Sequence, residues 1–490
     1  MTGTTPSALS SPEQERIIAL VTAARQRSRW NRVWLLLLLV DLAGLGSALL
    51  VAHLLRWWTG GEFTQAQILV LWPLPFLLVL LIASRGGYAR TPPHPADELR
   101  RLCTVVTLAF IIFITATFFF RNGTDYSRIG LVLSWLLALP LVPLARALLR
   151  AWGSRRPWWG EPTIVLGAGL TATLVVRQLL RWPTCGLRPI LLLDDDAAKH
   201  GSEILGIPVV GPIEQVAQAA SAAGVSSVIF AMPGAPLERV RHYWRLLGPK
   251  FRNVLIVPGM GEFASLWFEV KDLGGQPALE LRQSLLRPSR RVLKRALDLT
   301  LVALGLAAAA PLLAVLALLV RCSSAGPVFY GQRRIGRDGE FRVWKFRTMR
   351  QDAAAVLERL LVGDPALRAE WERDHKLRND PRITWIGGFL RKTSLDELPQ
   401  LWNVLVGEMS LVGPRPVTTE EIPRYGDQWE LYQRVLPGLT GLWQVSGRNQ
   451  TTYDERVSLD AFYVHNWSPW FDLVILARTV QTVLRGEGAY

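Results

Sequence analysis

Over the first third of the chain, long apolar runs alternate with connections that differ in their arginine content. The runs cover Val33 to Leu55, Ile68 to Ser84, Leu102 to Phe120 and Ile129 to Leu149, each near the length a helix needs to cross bilayer hydrocarbon. They predict a four-helix transmembrane bundle over 31–150, preceded by a loose, polar, Ala-rich cytoplasmic tail at 1–30. Arg25, Arg27, Arg29 and Arg32 come before the first run, Arg85, Arg90, Arg100 and Arg101 fill the second connection, and Arg146, Arg150, Arg155 and Arg156 gather at the end of the fourth run. The first and third connections carry fewer basic residues, so the positive-inside bias puts both ends of the bundle in the cytoplasm. Asp41 lies within the first run, where a carboxylate marks either a pathway or a bundle-facing group with a polar neighbour.

After an Arg- and Trp-rich linker the pattern changes to short apolar strands and amphipathic helices. Pro162 to Ala172 reads as a strand, a glycine turn and a helix start, and Leu191 to Asp196 closes a second strand. Val225 to Met232 and Asn253 to Pro258 add two more strands, which predicts an α/β Rossmann-like parallel-sheet domain over 160–285. Gly167 and Gly169 would let a backbone approach a pyrophosphate, and an aspartate follows at the distance suited to a ribose hydroxyl. Ala172 replaces the third glycine, and a fold that kept this turn without a ligand accounts for the same residues.

A basic stretch from Arg287 leads into a last long apolar run, Leu299 to Val320. Its length would span a membrane at ~1.5 Å per residue. Pro311 stands in its middle, and Arg321, Arg333, Arg334 and Arg337 follow it as densely as basic residues precede it. Both ends therefore favour the same face, which predicts a re-entrant helix at 296–320 that turns at Ala310-Pro311. Ala366 to Asp380 and Pro469 to Arg485 read as amphipathic segments, the latter lying at the membrane surface or packed as an ordinary core helix.

Composition agrees with a membrane protein carrying polar domains: of 490 residues 50% are hydrophobic and only 19% charged. The net charge of +15 suits an anionic membrane surface or a phosphate-bearing substrate. No basic recognition helix or aromatic-basic sheet motif is present, so nucleic acid is not expected as a partner. Three isolated cysteines, Cys103, Cys185 and Cys322, form neither a disulfide framework nor a zinc motif.

The sharpest chemical signal is Ser394-Leu395-Asp396-Glu397-Leu398-Pro399-Gln400-Leu401-Trp402-Asn403. It sets two adjacent carboxylates among residues that seek burial, with Arg391 and Lys392 just upstream. Taken alone, Ser394 would cap a helix whose first turn is acidic. It stands, however, with Lys345-Phe346-Arg347-Thr348-Met349 before it, and Gly413-Pro414-Arg415-Pro416 and Pro437 to Asn449 after it. On these motifs, in this order, the region from about Arg295 to Tyr490 resembles the bacterial polyprenyl-phosphate sugar phosphotransferases, the monotopic phosphoglycosyl transferases. With four spans and a βαβ domain ahead of it, the chain is similar to the large members of that family.

The resemblance implies an α+β catalytic domain at 287–490 on the cytoplasmic face of the bacterial inner membrane. It implies transfer of a sugar-1-phosphate, galactose favoured and glucose the alternative, from a UDP-sugar to undecaprenyl phosphate with release of UMP. Asp396 is then the nucleophile and Glu397 a ligand of Mg²⁺, a hard cation suited to carboxylate and diphosphate oxygens. Arg391, Arg415, Lys345 and Arg347 would clamp phosphate oxygens, and Gln444 and Arg448 would contact substrate from the closing loop. Membrane lipid is expected around the chain, and a homodimer is among the expected assemblies. A membrane-bound nucleotide-sugar dehydratase or epimerase shares the layout but needs a Tyr-x-x-x-Lys pair. The nearest match here is Tyr330 with Arg334. A nucleotide-sensing scaffold would leave Asp396-Glu397 without a role.

Overall fold

A computed structural model describes residues 11–28, 33–60, 71, 73–88, 94–119, 128–257, 268–272, 277–281, 284–363, 368, 380–447 and 451–485. The chain divides into two compact units, Met1–Gly261 and Glu262–Tyr490.

The segment expected to be a loose tail forms helix α1, Ser11–Arg27, with Ile17 and Val21 buried in the core of the sheet domain. Among the described side chains this i,i+4 pair is the buried one, a stripe too narrow to show as amphipathicity in a polar, Ala-rich segment. Just beyond α1, the Ser28 hydroxyl donates to the carbonyl of Gly160 at 2.9 Å.

Helices α2 (Val33–Trp58), α3 (Pro73–Ser84), α4 (Pro95–Phe119) and α5 (Arg128–Gly153) follow. Three of them are long and apolar enough to cross a membrane. Of the second predicted run, Ile68 to Ser84, the described residues form α3, 12 residues long, while 68–70 and 72 lie outside the described residues. Leu45, Leu78, Val106, Phe110 and Val142 fill the centre of the bundle. At Gly44 a Cβ would sit 3.0 Å from the Cα of Val142, so glycine lets the α2 and α5 backbones approach, as small residues do between membrane helices.

Asp41 meets Arg146 in a bidentate pair, both contacts 2.6 Å, with the two side chains 0% and 2% exposed. Arg146 also donates to the Gly87 carbonyl at 3.0 Å and to Glu98 at 3.2 Å, and Arg150 to Glu98 at 2.7 Å. The Tyr88 hydroxyl donates to Asp41 at 2.9 Å. Two arginines and two acids thus balance, tying α2, the turn after α3, α4 and α5 together.

The sheet of this unit has the order β3-β4-β2-β1-β5-β6, from β1 (Glu161–Leu166), β2 (Leu187–Leu193), β3 (Glu203–Ile204), β4 (Ile207–Val210), β5 (Ser227–Phe230) and β6 (Asn253–Ile256). All neighbours pair in parallel except the short edge strand β3. Helix α6 (Leu170–Arg181) covers one face through Ala172 and Val176. The other face takes α7 (Ile213–Ala222) and α8 (Leu237–Leu247) together with α1. Gly167 has φ 104°, and a Cβ there would meet the Ala231 carbonyl at 2.8 Å, so this glycine serves the join of β1 to β5. The aspartate offered for a ribose is turned inward. Asp194 accepts from the Ala168 amide at 2.8 Å, from the Asp196 amide at 3.0 Å and from Lys199 at 3.0 Å. In this arrangement the chain's own carboxylate takes the Ala168 amide of the Gly167–Gly169 turn, while the space beside Gly169 stays open.

The second unit begins with the hairpin β7 (Phe268–Asp272) and β8 (Pro277–Leu281) and the 36-residue helix α9, Pro288–Ser323. Pro311 is helical on both sides and does not end α9. The first turns of α9 are fastened by Lys294, held 2.8 Å from both Asp298 and Asp472. Ser410 donates to Asp298 at 2.7 Å, while Tyr463 and Trp467 donate to Asp472 at 2.7 and 3.0 Å. Its last turns pack Leu316 and Val320 on Phe346, Ile386 and Leu390.

The antiparallel hairpin β9 (Phe329–Gly336) and β10 (Gly339–Phe346) follows, then α10 (Ala353–Gly363), α11 (Trp385–Thr393) and α12 (Gln400–Val406). Strand β11 (Ser410–Val412) pairs in parallel with β12 (Gly438–Thr440), and α13 (Trp429–Gln433), α14 (Tyr453–Asn466) and α15 (Pro469–Arg485) complete the unit. Phe471, Asp472 and Ile475 of α15 are buried, so that face belongs to the core. The Ala366–Asp380 segment lies almost entirely outside the described residues.

Arg146→Met should destabilise the first unit by about 3 kcal/mol, because it leaves a buried carboxylate unpaired. The double variant Asp41→Leu/Arg146→Met should recover most of that loss in thermal unfolding in detergent. A folded double variant that has lost all activity would assign Asp41 a pathway role instead.

Candidate active site

The site grows from the end of α11. Ser394 takes the left-handed conformation, φ 55° and ψ 17°, and makes no side-chain cap, so the expected capping role is absent. The backbone reversal starts a single 3₁₀ turn, Leu395–Glu397. Residues three apart eclipse in such a turn. Leu395 and Leu398 pack on the cluster of Leu316, Phe346 and Leu390, which turns the intervening Asp396 and Glu397 away from the apolar side.

Lys345 projects from β10 to place its ammonium 2.7 Å from Glu397. Burial, with the like charge of Glu397 adding to it, pushes the Asp396 carboxyl up to about 6 against the pull of Lys345 and Arg391. Arg391 donates to the Thr348 hydroxyl at 2.9 Å. Burial lowers its guanidinium, an effect opposed by Asp396 and Asp380. Strand β10 is itself held in place by Asn403, which accepts from the Trp344 amide at 3.1 Å and donates to the Arg342 carbonyl at 2.6 Å.

Arg415 follows β11. Its guanidinium lies 5.7 Å from the Trp443 ring centroid, and burial together with Arg456 and Arg334 lowers its pKa against Glu397 and Glu421. Gln444 sits in the turn Trp443–Val445, its Oε1 buried without a hydrogen-bond partner. Arg448 lies outside the described residues. Pro311 belongs to α9, and Gly167 and Gly169 to the other unit.

Arg347 is a correction. It donates to the carbonyls of Ser324 at 2.6 Å and Ala325 at 2.8 Å, closing the chain just past α9 rather than facing the carboxylates. Its adjacency to Lys345 concealed that alternate residues of a strand point to opposite faces only while the strand lasts, and β10 ends at Phe346.

Sequence reasoning passed over Arg334, Trp443, Tyr453, Arg456 and Asp460. The spacing of Tyr453, Arg456 and Asp460, which places three polar side chains on one face of α14, was the signal available. Among the described residues no group of three or more His, Cys, Asp or Glu side chains converges as a metal site. Asp396 and Glu397 are adjacent, oxygen-bearing and partly open, so they fit Mg²⁺ if substrate phosphates supply further ligands.

The profile of a family described as bacterial sugar transferase matches residues 289–486, and one described as a CoA-binding domain matches residues 83–258. An undecaprenyl-phosphate galactose phosphotransferase of Salmonella typhimurium is 40% identical over 80% of this chain and 82% of its own. A UDP-galactose-lipid carrier transferase of Erwinia amylovora is 38% identical over 75% and 77%. A UDP-glucose:undecaprenyl-phosphate glucose-1-phosphate transferase of Escherichia coli is 37% identical over 81% and 83%. With relatives this similar aligned across both units, and with the Asp396-Glu397 constellation inside the matched region, the chain belongs to the bacterial sugar transferase family.

Proposed function

We propose that this enzyme transfers galactose-1-phosphate from UDP-galactose to undecaprenyl phosphate, releasing UMP. The observation that carries the chemistry is Asp396: a carboxylate pushed up by burial, held beside a Lys345–Glu397 pair and the Arg391 guanidinium. An Asp396 oxygen attacks the β-phosphorus of the UDP-sugar, the bond from that phosphorus to the bridging oxygen breaks, and UMP leaves with the electron pair. An oxygen of undecaprenyl phosphate then attacks the same phosphorus and returns Asp396 to the carboxylate. Lys345, Arg391 and Arg415 supply fixed positive charge where two anionic partners must meet. Asp396 and Glu397 would hold Mg²⁺, which when bound neutralises diphosphate charge. The preference for galactose over glucose rests on the names of the two relatives above, and comparing UDP-galactose with UDP-glucose as donors tests it.

The chain fits the inner membrane with its catalytic unit facing the cytoplasm, where UDP-sugars are made. In this reading α9 is re-entrant. Its first turns are anchored on Asp472 and Ser410 and its last on Phe346 and Leu390, all within one unit, whereas the turns between are largely exposed apolar side chains such as Leu304, Leu312 and Val315. A helix that dips into one leaflet near Pro311 brings both ends back to the same domain.

Asp396→Asn should lower UMP release by on the order of 10³-fold or more and abolish covalent labelling by a radiolabelled UDP-sugar. Glu397→Gln should instead weaken the dependence on Mg²⁺. Full turnover by Asp396→Asn would end the nucleophile assignment.

The same substitution should stabilise the fold. Burial raises the Asp396 pKa in the folded state, so its contribution is fully present below the unfolded value and is lost as pH rises through about 6. With chelator present, Asp396→Asn should therefore be more stable than the native chain by ~2 kcal/mol at alkaline pH and equal to it in acid. Thermal unfolding at the two pH values checks the sign.

The topology makes a third claim. In a chain freed of native cysteines, single cysteines at Ser289 and Asp338 should both resist an impermeant thiol reagent in sealed right-side-out vesicles. Labelling at Asp338 alone would mean that α9 crosses.

A further inference from the structure

Around Arg415, which feels the charge of Glu397, lies a cluster of side chains whose hydrogen-bonding capacity is left over. Arg334 of β9 and Arg456 of α14 share Glu421, but at 3.5 and 3.7 Å, and one Glu421 oxygen already accepts from the Thr418 amide at 2.8 Å. Arg456 stacks 4.5 Å from the Trp443 ring centroid and 5.0 Å from that of Tyr453. Its Nε and Nη2 are buried without a hydrogen-bond partner, as are the Trp443 indole N–H and the Tyr453 hydroxyl. Asp460 is the acid below them, 3% exposed. One of its oxygens accepts from Tyr425 at 3.0 Å and the other has no partner. Burial pushes Asp460 up to about 7, so near neutral pH it and Glu421 offset only part of the charge of Arg334, Arg415 and Arg456.

Buried donors without acceptors cost ~1–3 kcal/mol each, and a surplus of positive charge beside an active site calls for an anion with several acceptor oxygens. A phosphate monoester fits: a doubly charged group that a guanidinium engages in a bidentate fork. We propose that Arg415, Arg456 and the Trp443 indole N–H form the seat of a phosphate monoester, the α-phosphate of the nucleotide donor that departs as UMP, and that Asp460 is a positioning residue for Arg456. This rests on the transfer reading above and assigns its leaving-group side. The acceptor's polyprenyl phosphate presents the same chemistry, so the two sources need separate arms.

The test uses the full chain purified in detergent. UMP binding is measured by calorimetry, and covalent labelling of Asp396 by a radiolabelled UDP-sugar is measured in parallel. Arg456→Gln should weaken UMP binding about 10- to 100-fold, the loss of one or two charge-assisted hydrogen bonds, and should abolish the UMP-induced rise in unfolding temperature. Arg456→Lys should restore part of the affinity, and Trp443→Phe, which keeps the ring and removes the donor, should weaken it several-fold. Asp460→Asn should shift the pH profile of UMP binding, an effect that a purely structural role would not produce.

A second titration with undecaprenyl phosphate identifies the source. Unchanged affinity for the lipid in Arg456→Gln supports the donor seat. Loss of lipid affinity with native UMP affinity would overturn it in favour of the acceptor. A folded Arg456→Gln chain that binds both ligands as the native chain does would overturn the seat altogether, while native labelling of Asp396 left the transfer reading standing. A native chain that neither labels nor binds UMP would instead remove the transfer reading.

Discussion

The catalytic unit depends on one buried ammonium. Lys294 sits between Asp298 on its own helix and Asp472 on α15, 2.8 Å from each; the other oxygens of that pair are taken by Ser410 and Tyr463, and Trp467 shares the Asp472 oxygen that Lys294 holds. Such a cluster is costly to assemble and costlier to break, since removing one member strands a charge away from water. Its place explains its use. It is where an apolar helix, whose middle seeks lipid, must be bound at its base to a polar domain. Hydrophobic contact alone would be indifferent to how the helix is rotated or how far it slides, whereas a fully partnered ion cluster admits one arrangement.

From that anchor the site follows by short steps. The far end of α9 packs on Phe346 and Leu390, which belong to the strand carrying Lys345 and the helix carrying Arg391. The same apolar patch receives Leu395 and Leu398 and so orients the acids between them. Helix, strand and 3₁₀ turn thus share one core, and the separation of Lys345 from Glu397 is set by packing rather than by the attraction between them. A pair with both side chains partly exposed contributes little to stability by itself.

The motifs were legible because they are local. Asp396-Glu397 in its apolar frame, the Gly167 turn and the arginine bias around the apolar runs can each be read within about a dozen residues. What stayed hidden was joined over distance: Arg146 to Asp41 across 105 positions, Lys294 to Asp472 across 178, and the gathering of Arg334, Arg415 and Arg456 from three separate elements. Arg347 misled for the converse reason, since its motif neighbours face the site while its own guanidinium serves two backbone carbonyls. Asp194 shows a third case, a carboxylate after β2 whose partners are the Ala168 and Asp196 amides and Lys199.

The contact of α1 with the sheet has a consequence for counting. Residue 28 lies before the bundle and residue 160 after it, yet Ser28 touches Gly160, and Ile17 and Val21 sit in the core of the domain that follows. The two ends of the run of apolar helices therefore meet in one domain, as an even number of bilayer passes would require. Helices α2, α4 and α5 are each long enough for one pass, which makes three. An even count would give the fourth pass to the stretch that contains α3.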